Sequence, residues 1–167
     1  MVTDSGHFMG FPAMYLRVPE PKGFVFTQAF QAAGLGLATA IGAAVAAPER
    51  LTVAALGDGG ALMGLSELET VARLGLKMAV VVYNDAAYGA EVHHFGPEGA
   101  PLDTVRFPNV DFAVRCPEDL EPVRAWVRAG MPGPMLVDAQ GRAHGGGRMA
   151  GGGLPGPLRA RQEQDLL

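Results

Sequence analysis

Two acidic turns hold the residues whose types and spacing can do chemistry. Gly57-Asp58-Gly59-Gly60 ends the apolar run Leu51 to Leu56, and Asn84-Asp85-Ala86-Ala87 ends the run Met78 to Tyr83. Both runs are rich in Val and break abruptly into Gly or Asn/Asp, as buried parallel strands do. A lone Gly-Asp-Gly is common after a strand, but here two such turns follow matched strands. Mg2+ binds through a few oxygen ligands plus the phosphates of its substrate, so Asp58, Asp85 and a turn carbonyl suit it. The backbone N–H groups at Gly59, Gly60 and Ala61 lead towards a helix N-terminus, where a diphosphate is favoured.

The elements around these turns explain why they meet. Between the two strands, Leu65, Leu68, Val71, Ala72 and Leu74 recur at helical spacing, with Glu67, Glu69 and Arg73 on the other face. Ser66 with Glu69 fits a capping box, and Gly75 fits a C-terminal stop. A strand, helix, strand unit of this length crosses over right-handed and returns parallel. Both turns therefore emerge at the carboxyl edge of one sheet, where open α/β sheets bind ligands. No G-x-G-x-x-G opens the helix after the first of these strands, which disfavours a Rossmann nucleotide binder.

Upstream, Val2-Thr3 is a short strand candidate, followed by Asp4-Ser5-Gly6-His7 and a Pro-containing loop. Gly23 to Thr27 reads as extended, and Phe30 to Ala47 as an Ala/Gly helix ended by Pro48. Gly34, Ala38, Gly42 and Ala46 repeat every fourth residue on that helix, a stripe of small residues open to two readings. It packs inside the domain, or it meets another subunit. Downstream, Glu91 to Phe95 and Pro117 to Ala129 read as helices, the latter with Leu120, Val123, Trp126 and Val127 on one face. Met135 to Val137 reads as a last strand. From Gln140 the composition turns to Gly, Arg and Pro, which predicts a disordered tail over 140–167 after a domain spanning 1–139.

Composition narrows the function classes. The chain has 167 residues, 49% of them hydrophobic, enough for one domain with a real core. Its net charge of -4 and lack of clustered Lys and Arg in the first 140 residues argue against a nucleic-acid surface. Phe30 to Ala47 approaches the length of a membrane span, but it is mostly Ala and Gly, so no membrane segment is expected. The single Cys116 reads as inert and forms no internal disulfide, which makes a reducing, cytoplasmic setting the default. No signal peptide is evident, and the abrupt start suggests that Met1 lies at a domain boundary.

The stretch GDGGALMGLSELETVARLGLKMAVVVYND resembles the diphosphate-binding signature of thiamine diphosphate enzymes, in which GDG is followed downstream by an Asn-Asn pair. It is most similar to the acetolactate synthase-like group, whose ELxTAxR helix stands here as Glu67 to Arg73; the resemblance extends over residues 2–139. It implies an α/β fold, a parallel sheet with helices on both faces, and thiamine diphosphate and Mg2+ as cofactors. It further implies that Asp58, Asp85 and the carbonyl of Ala87 hold the metal. Gly57, Asp58, Gly59, Gly60, Ala61, Asn84 and Asp85, with Tyr88 and Gly89 beyond them, would hold the cofactor. Asp85 stands where many members have the second Asn, so it adds a negative charge that grips the ion and repels the diphosphate.

Other positions follow by the same resemblance. DSGHFMGFPAMY is similar to the family's DVGQHQMWAAQY, with His7 in place of a Gln and Phe8 in place of a His that reach the diphosphate side. His7 either donates to phosphate or is a loop histidine in solvent; Phe8 cannot donate. Gln31-Ala32-Ala33-Gly34 stands where the family has GTMG, whose backbone meets the aminopyrimidine, so Gln31 and Ala33 are implied contacts. Ala33 replaces the Met that wedges the cofactor into its bent shape. Between Val110 and Glu118 the chain is shorter than its relatives, which predicts the loss of a helix and part of an edge strand. His93 and His94 read more simply as solvated helix residues than as substrate contacts.

No catalytic residue is assigned to this chain. In the family the cofactor is activated by a Glu on a separate pyrimidine-binding domain, which the resemblance makes a required partner, in a homo- or hetero-oligomer. The substrate it implies is a 2-oxo acid such as pyruvate, decarboxylated and joined to an acceptor. The alternative is a truncated, catalytically inactive module that binds thiamine diphosphate.

Overall fold

In the computed structural model, residues 1–27, 32–112, 114–115 and 120–140 are described, with 114–115 known in backbone only. Gln31, Cys116 and the Gly-rich tail after Gln140 lie outside the described residues. Six parallel strands form one sheet: β1 Val2–Thr3, β2 Val25–Phe26, β3 Thr52–Gly57, β4 Met78–Asn84, β5 Val114–Arg115 and β6 Met135–Gln140. Their spatial order is β2-β1-β3-β4-β6-β5. The helices are α1 Gly10–Tyr15, α2 Gly36–Ala46, α3 Asp58–Met63, α4 Glu67–Arg73, α5 Gly89–Phe95 and α6 Glu121–Arg128.

The two Val-rich runs are the centre of the sheet. Thr52 sits level with Met78 and Gly57 with Tyr83, so both acidic turns leave the same edge at the same height. Alternation sorts the strands onto two faces. Ala54 and Leu56 of β3 share a face with Met78, Val80 and Val82 of β4, all buried. Leu37, Ala40 and Ala44 of α2, Ala61 of α3 and Val71 of α4 close the main core over them. On the opposite face Phe8 stacks on Tyr83, ring centroids 5.0 Å apart, at the carboxyl end of the sheet. The chain turns back between β1 and β3, because β2 lies outside β1 and the next strand pairs on its other side. That reversal opens a crevice at the carboxyl edge.

Several local expectations are corrected. The Gly-Asp-Gly-Gly segment is not a free turn: Asp58 begins α3, a short helix ending at Met63 that precedes the expected helix, which stands as α4. Ser66 makes no side-chain cap, since it is already helical in backbone (φ -57, ψ -28), and only its carbonyl bonds Glu69. Because Leu65 lies in the link and Leu74 at the cap, both stay exposed, as does Ala72; Leu68 and Val71 alone of that stripe turn inward. Gly75 does end the helix, in the left-handed region at φ 58.

The Ala/Gly helix is shorter than expected, eleven residues from Gly36, and among the described residues no helix is long and apolar enough to cross a membrane. Ala38, Gly42 and Ala46 face outward, and a Cβ added at Gly42 meets nothing within 4 Å. Packing inside the domain is therefore done by Leu37, Ala40 and Ala44, one helix face away. In α6 Trp126 is buried and donates to the Gly133 carbonyl at 3.1 Å, Val123 is half-buried, and Leu120 and Val127 are exposed. Val114–Arg115 of β5 lies at the edge of the sheet, and no helix forms between Gly99 and Phe112.

Candidate functional site

The crevice is a cavity of about 320 Å³ at the carboxyl ends of β1, β3 and β4. It brings together His7, Ala33, Gly57, Asp58, Gly59, Gly60, Asn84, Asp85, Ala87, Tyr88 and Gly89 from the sequence-predicted set. Ala61 does not line it; one residue further into α3, its methyl is packed in the core. Ser5, Gly6, Phe8, Phe11 and Glu91 complete much of the wall.

Asp58 joins the two turns. It is 2% exposed, and its Oδ1 accepts the Gly59 N–H at 2.8 Å while its Oδ2 accepts the Ala86 N–H at 2.7 Å. Burial pushes its carboxyl above the usual range; the Gly59 and Ala86 N–H groups pull the other way, and the nearby Asp85 charge pushes it further up. The Gly59 N–H is thus not bare, as its sequence position suggests, but held by the neighbouring carboxylate. Asp85 is exposed, and its carboxylate lies against Gly89, where a Cβ would come within 2.6 Å of Oδ2. Tyr88 lays its ring over Gly59 and meets Phe107 edge-on at 5.5 Å.

The second turn is pinned from behind. Ala86 sits at φ 56, a left-handed conformation that an alanine rarely adopts. Tyr88 N–H donates to the Val105 carbonyl at 2.8 Å and Phe107 N–H to the Ala86 carbonyl at 3.2 Å. This bridge runs through the neighbours of Ala87 and leaves the Ala87 carbonyl outside it. Asn84 is buried, and its amide nitrogen donates to Asn109 Oδ1 and the Val110 carbonyl, both at 2.9 Å. Its amide N–H groups thus point to the loop behind the turn rather than into the crevice.

One organising residue is missed by reading the turns alone. Asp4, immediately after β1, is 0% exposed. Its Oδ1 accepts the Ser5 N–H at 2.9 Å and the Thr27 hydroxyl at 3.2 Å, and its Oδ2 accepts the Gly34 N–H at 2.8 Å. A Cβ on Gly60 would overlap Asp4 Oδ2, so the close approach of α3 requires glycine there. The sequence signal was available: an acid directly following a strand at the same sheet edge.

His7, at the edge of the crevice, stacks on His93 of α5 with centroids 4.2 Å apart at 24°, and both rings stay exposed to solvent, as expected for His93. Burial lowers the His7 pKa, His93 lowers it further, and Asp85 opposes both. A lowered folded-state pKa means that the unfolded chain binds the proton more tightly, so this group's stability contribution is lost as pH falls below the unfolded value near 6.5. An NMR titration is expected to give His7 a midpoint below 6.5, and His93→Ala to move that midpoint up.

The chain was compared with known proteins. The family described as thiamine pyrophosphate enzyme, C-terminal TPP binding domain, matches residues 4–137. The chain belongs to this family. It is 30% identical over 152 residues to an acetolactate synthase of Bacillus subtilis (strain 168), covering 83% of this chain and 26% of that protein. It is 37% identical over 89 residues to a sulfoacetaldehyde acetyltransferase of Alcaligenes xylosoxydans xylosoxydans, covering 53% and 15%. An alpha-keto-acid decarboxylase of Mycobacterium avium (strain 104) is 39% identical over 89 residues, 53% of this chain and 16% of that protein. Among solved structures, the thiamine diphosphate-dependent 4-hydroxybenzoylformate decarboxylase of Rhodococcus jostii RHA1 shares the fold, with a TM-score of 0.72 at 19% identity over 85% of this chain and 29% of that one. The chain thus spans about a quarter or less of the length of these curated relatives.

Within the thiamine diphosphate-binding domain, the residues present fit the family's cofactor and its cation. Among the described residues there is no group of three or more His, Cys, Asp or Glu side chains to cage a metal alone. Two carboxylates, one backbone carbonyl and a diphosphate are instead the kind of mixed set that suits Mg2+. The Asp58 oxygens accept the Gly59 and Ala86 N–H groups, and two carboxylate oxygens offer more lone pairs than these bonds use, so a cation can be met without breaking either.

Proposed function

We propose that the crevice binds the diphosphate of thiamine diphosphate through Mg2+ held by Asp58, Asp85 and the Ala87 carbonyl, and that the chain is the cofactor-anchoring part of an enzyme acting on a 2-oxo acid. The observation that carries this reading is the buried carboxylate of Asp58, bonded into both turns and raised in pKa by burial and by Asp85. A cation placed there would relieve both causes. Gly59 and Gly60 line the crevice where the phosphates would lie, His7 stands at its edge as a donor, and Ala33 leaves room at the pyrimidine end of the cavity.

When bound, thiamine diphosphate supplies the carbanion chemistry by which a 2-oxo acid loses CO2 and its acyl fragment passes to an acceptor. The residues of this chain bind and orient the cofactor; the activating Glu is expected from a pyrimidine-binding domain or subunit. Acetolactate-like decarboxylation and carboligation is the reaction this reading favours. The lack of a helix between Gly99 and Phe112 favours a second reading, a shortened module that binds the cofactor without turnover.

Calorimetry of the full chain tests the site. Thiamine diphosphate is expected to bind with Mg2+ and not with a chelator, and Asp85→Ala to weaken binding by about tenfold or more. Binding that is indifferent to both would overturn the metal assignment. Pyruvate turnover by the chain alone would contradict its dependence on a partner.

A further inference from the structure

Asp138, near the end of β6, is a buried carboxylate that the two acidic turns do not account for. It is 0% exposed, and its Oδ1 has no hydrogen-bond partner among the described residues. Oδ2 accepts from Gln140 Nε2 at 3.2 Å, from the Phe112 N–H at 3.4 Å and from Asn84 Nδ2 at 3.4 Å. β6 pairs with β4 so that Asp138 is level with Val82 and Gln140 with Asn84, which sets Asp138 and Asn84 on one face of neighbouring strands. Burying a polar group is costly unless its bonds are made, so a carboxylate here needs a reason beyond filling space.

The bonds of Asn84 supply it. While its Nδ2 is shared among Asp138, Asn109 and Val110, its Oδ1 accepts the Ala86 N–H at 3.3 Å. The same N–H donates to Asp58 Oδ2 at 2.7 Å. A continuous polar chain therefore runs Asp138, Asn84, Ala86, Asp58 across three strand ends. Its middle member is the alanine held at φ 56, the strained point of the second turn. We propose that Asp138 is a positioning residue: as the third acceptor around the Asn84 amide, beside Asn109 and the Val110 carbonyl, it helps to fix that amide's orientation, and so holds Ala86 in its conformation and sets where Asp85 and the Ala87 carbonyl stand relative to Asp58. The binding consequence of this inference rests on the cation reading above, whereas its geometric part does not.

The test uses the full chain with Asp138→Ala, Asp138→Asn and a control, Val137→Ala, on the adjacent buried residue of β6. Two quantities are read, the hydrogen-exchange protection of the Ala86 amide and the affinity for thiamine diphosphate with Mg2+. Asp138→Ala is expected to lower both about tenfold, the scale seen when supports behind metal ligands are removed. Asp138→Asn, whose amide oxygen can accept the same donors, should restore most of both. Val137→Ala should lower thermal stability and leave both unchanged. Equal Ala86 protection in Asp138→Ala and Val137→Ala at matched stability would overturn the proposal. If Asp138→Ala does not fold, Asn84→Ala takes its place, because the coupling runs through Asn84, and retained Ala86 protection there overturns it equally. If the parent chain itself fails to bind the cofactor, the cation reading falls, while the exchange measurement still decides the positioning role.

Discussion

Replacing Asp58 by Asn is expected to leave the chain folded, with a thermal midpoint within a few degrees of the parent, and to lower Mg2+-dependent affinity for thiamine diphosphate by at least a hundredfold. The two effects separate because they depend on different features of the carboxylate. Its charge is disfavoured by burial, as its raised pKa reports, so an uncharged isostere sheds a desolvation cost while losing one of two charge-assisted bonds. Asp58→Ala instead leaves the Gly59 N–H without its acceptor, at about 1–3 kcal/mol, and the Ala86 N–H with only its longer bond to Asn84 Oδ1 at 3.3 Å. Ala should therefore unfold well before Asn, and both should fail to bind the cation. Thermal melts with and without Mg2+ and cofactor read both effects.

The same residue sets a pH dependence. A carboxyl whose folded pKa is raised gives a stability contribution that is complete below the unfolded value, near 3.9, and is lost as pH rises through the folded value. Asp58→Asn should flatten that part of the stability profile of the cofactor-free chain. Because a cation competes with the proton, Mg2+ affinity in the parent should fall as pH is lowered towards the folded pKa of Asp58.

Asp4→Ala is expected to be the most destabilising single change at the site, by about 3 kcal/mol or more in urea unfolding, with the cofactor site lost alongside. Two N–H donors, those of Ser5 and Gly34, would lose their acceptor, and the buried Thr27 hydroxyl would keep only its bond to the Thr3 carbonyl at 3.3 Å. Through them Asp4 ties the end of β1 to Thr27 beyond β2 and to the loop before α2 that carries Ala33. The converse change, Gly36→Ala, should cost about 2–3 kcal/mol by overpacking. Its new Cβ would lie 2.6 Å from Asp4 Cβ and 2.7 Å from Leu56 Cδ2, in a core with no slack. A Gly36→Ala chain as stable as the parent would contradict the packing described here.

These residues also mark what was legible in the sequence. β3, β4 and their acidic turns could be read because continuous Val-rich runs ending in Gly or Asn/Asp have few other interpretations, and their parallel pairing fixes the turns at one edge. The helix between them was harder. Leu65 and Leu74 keep the helical period, but the short helix that precedes them depends on how α3 is drawn against the sheet, which no local pattern encodes. Ser66 and Glu69 match a capping box by type, yet Ser66 lies inside a helical turn where its side chain cannot cap. Asn84 was legible as a polar residue in the second turn but not as a brace, because Asn109, Val110 and Asp138 are distant in sequence. Asp138 was hidden for a related reason: a buried acid is recognised by the donors that fold around it, and those include Asn84 and Phe112 from other elements.

The most direct test of the central claim is to place the cation in the structure. In amide NMR spectra of the full chain with thiamine diphosphate, replacing Mg2+ by a trace of Mn2+ should broaden the signals of Asp58, Gly59, Ala86, Ala87 and Gly89 first. The outer helix face around Ala38 and Gly42 should stay sharp. Broadening centred elsewhere, or none at saturating cofactor, would contradict the assignment of this crevice as the cofactor site.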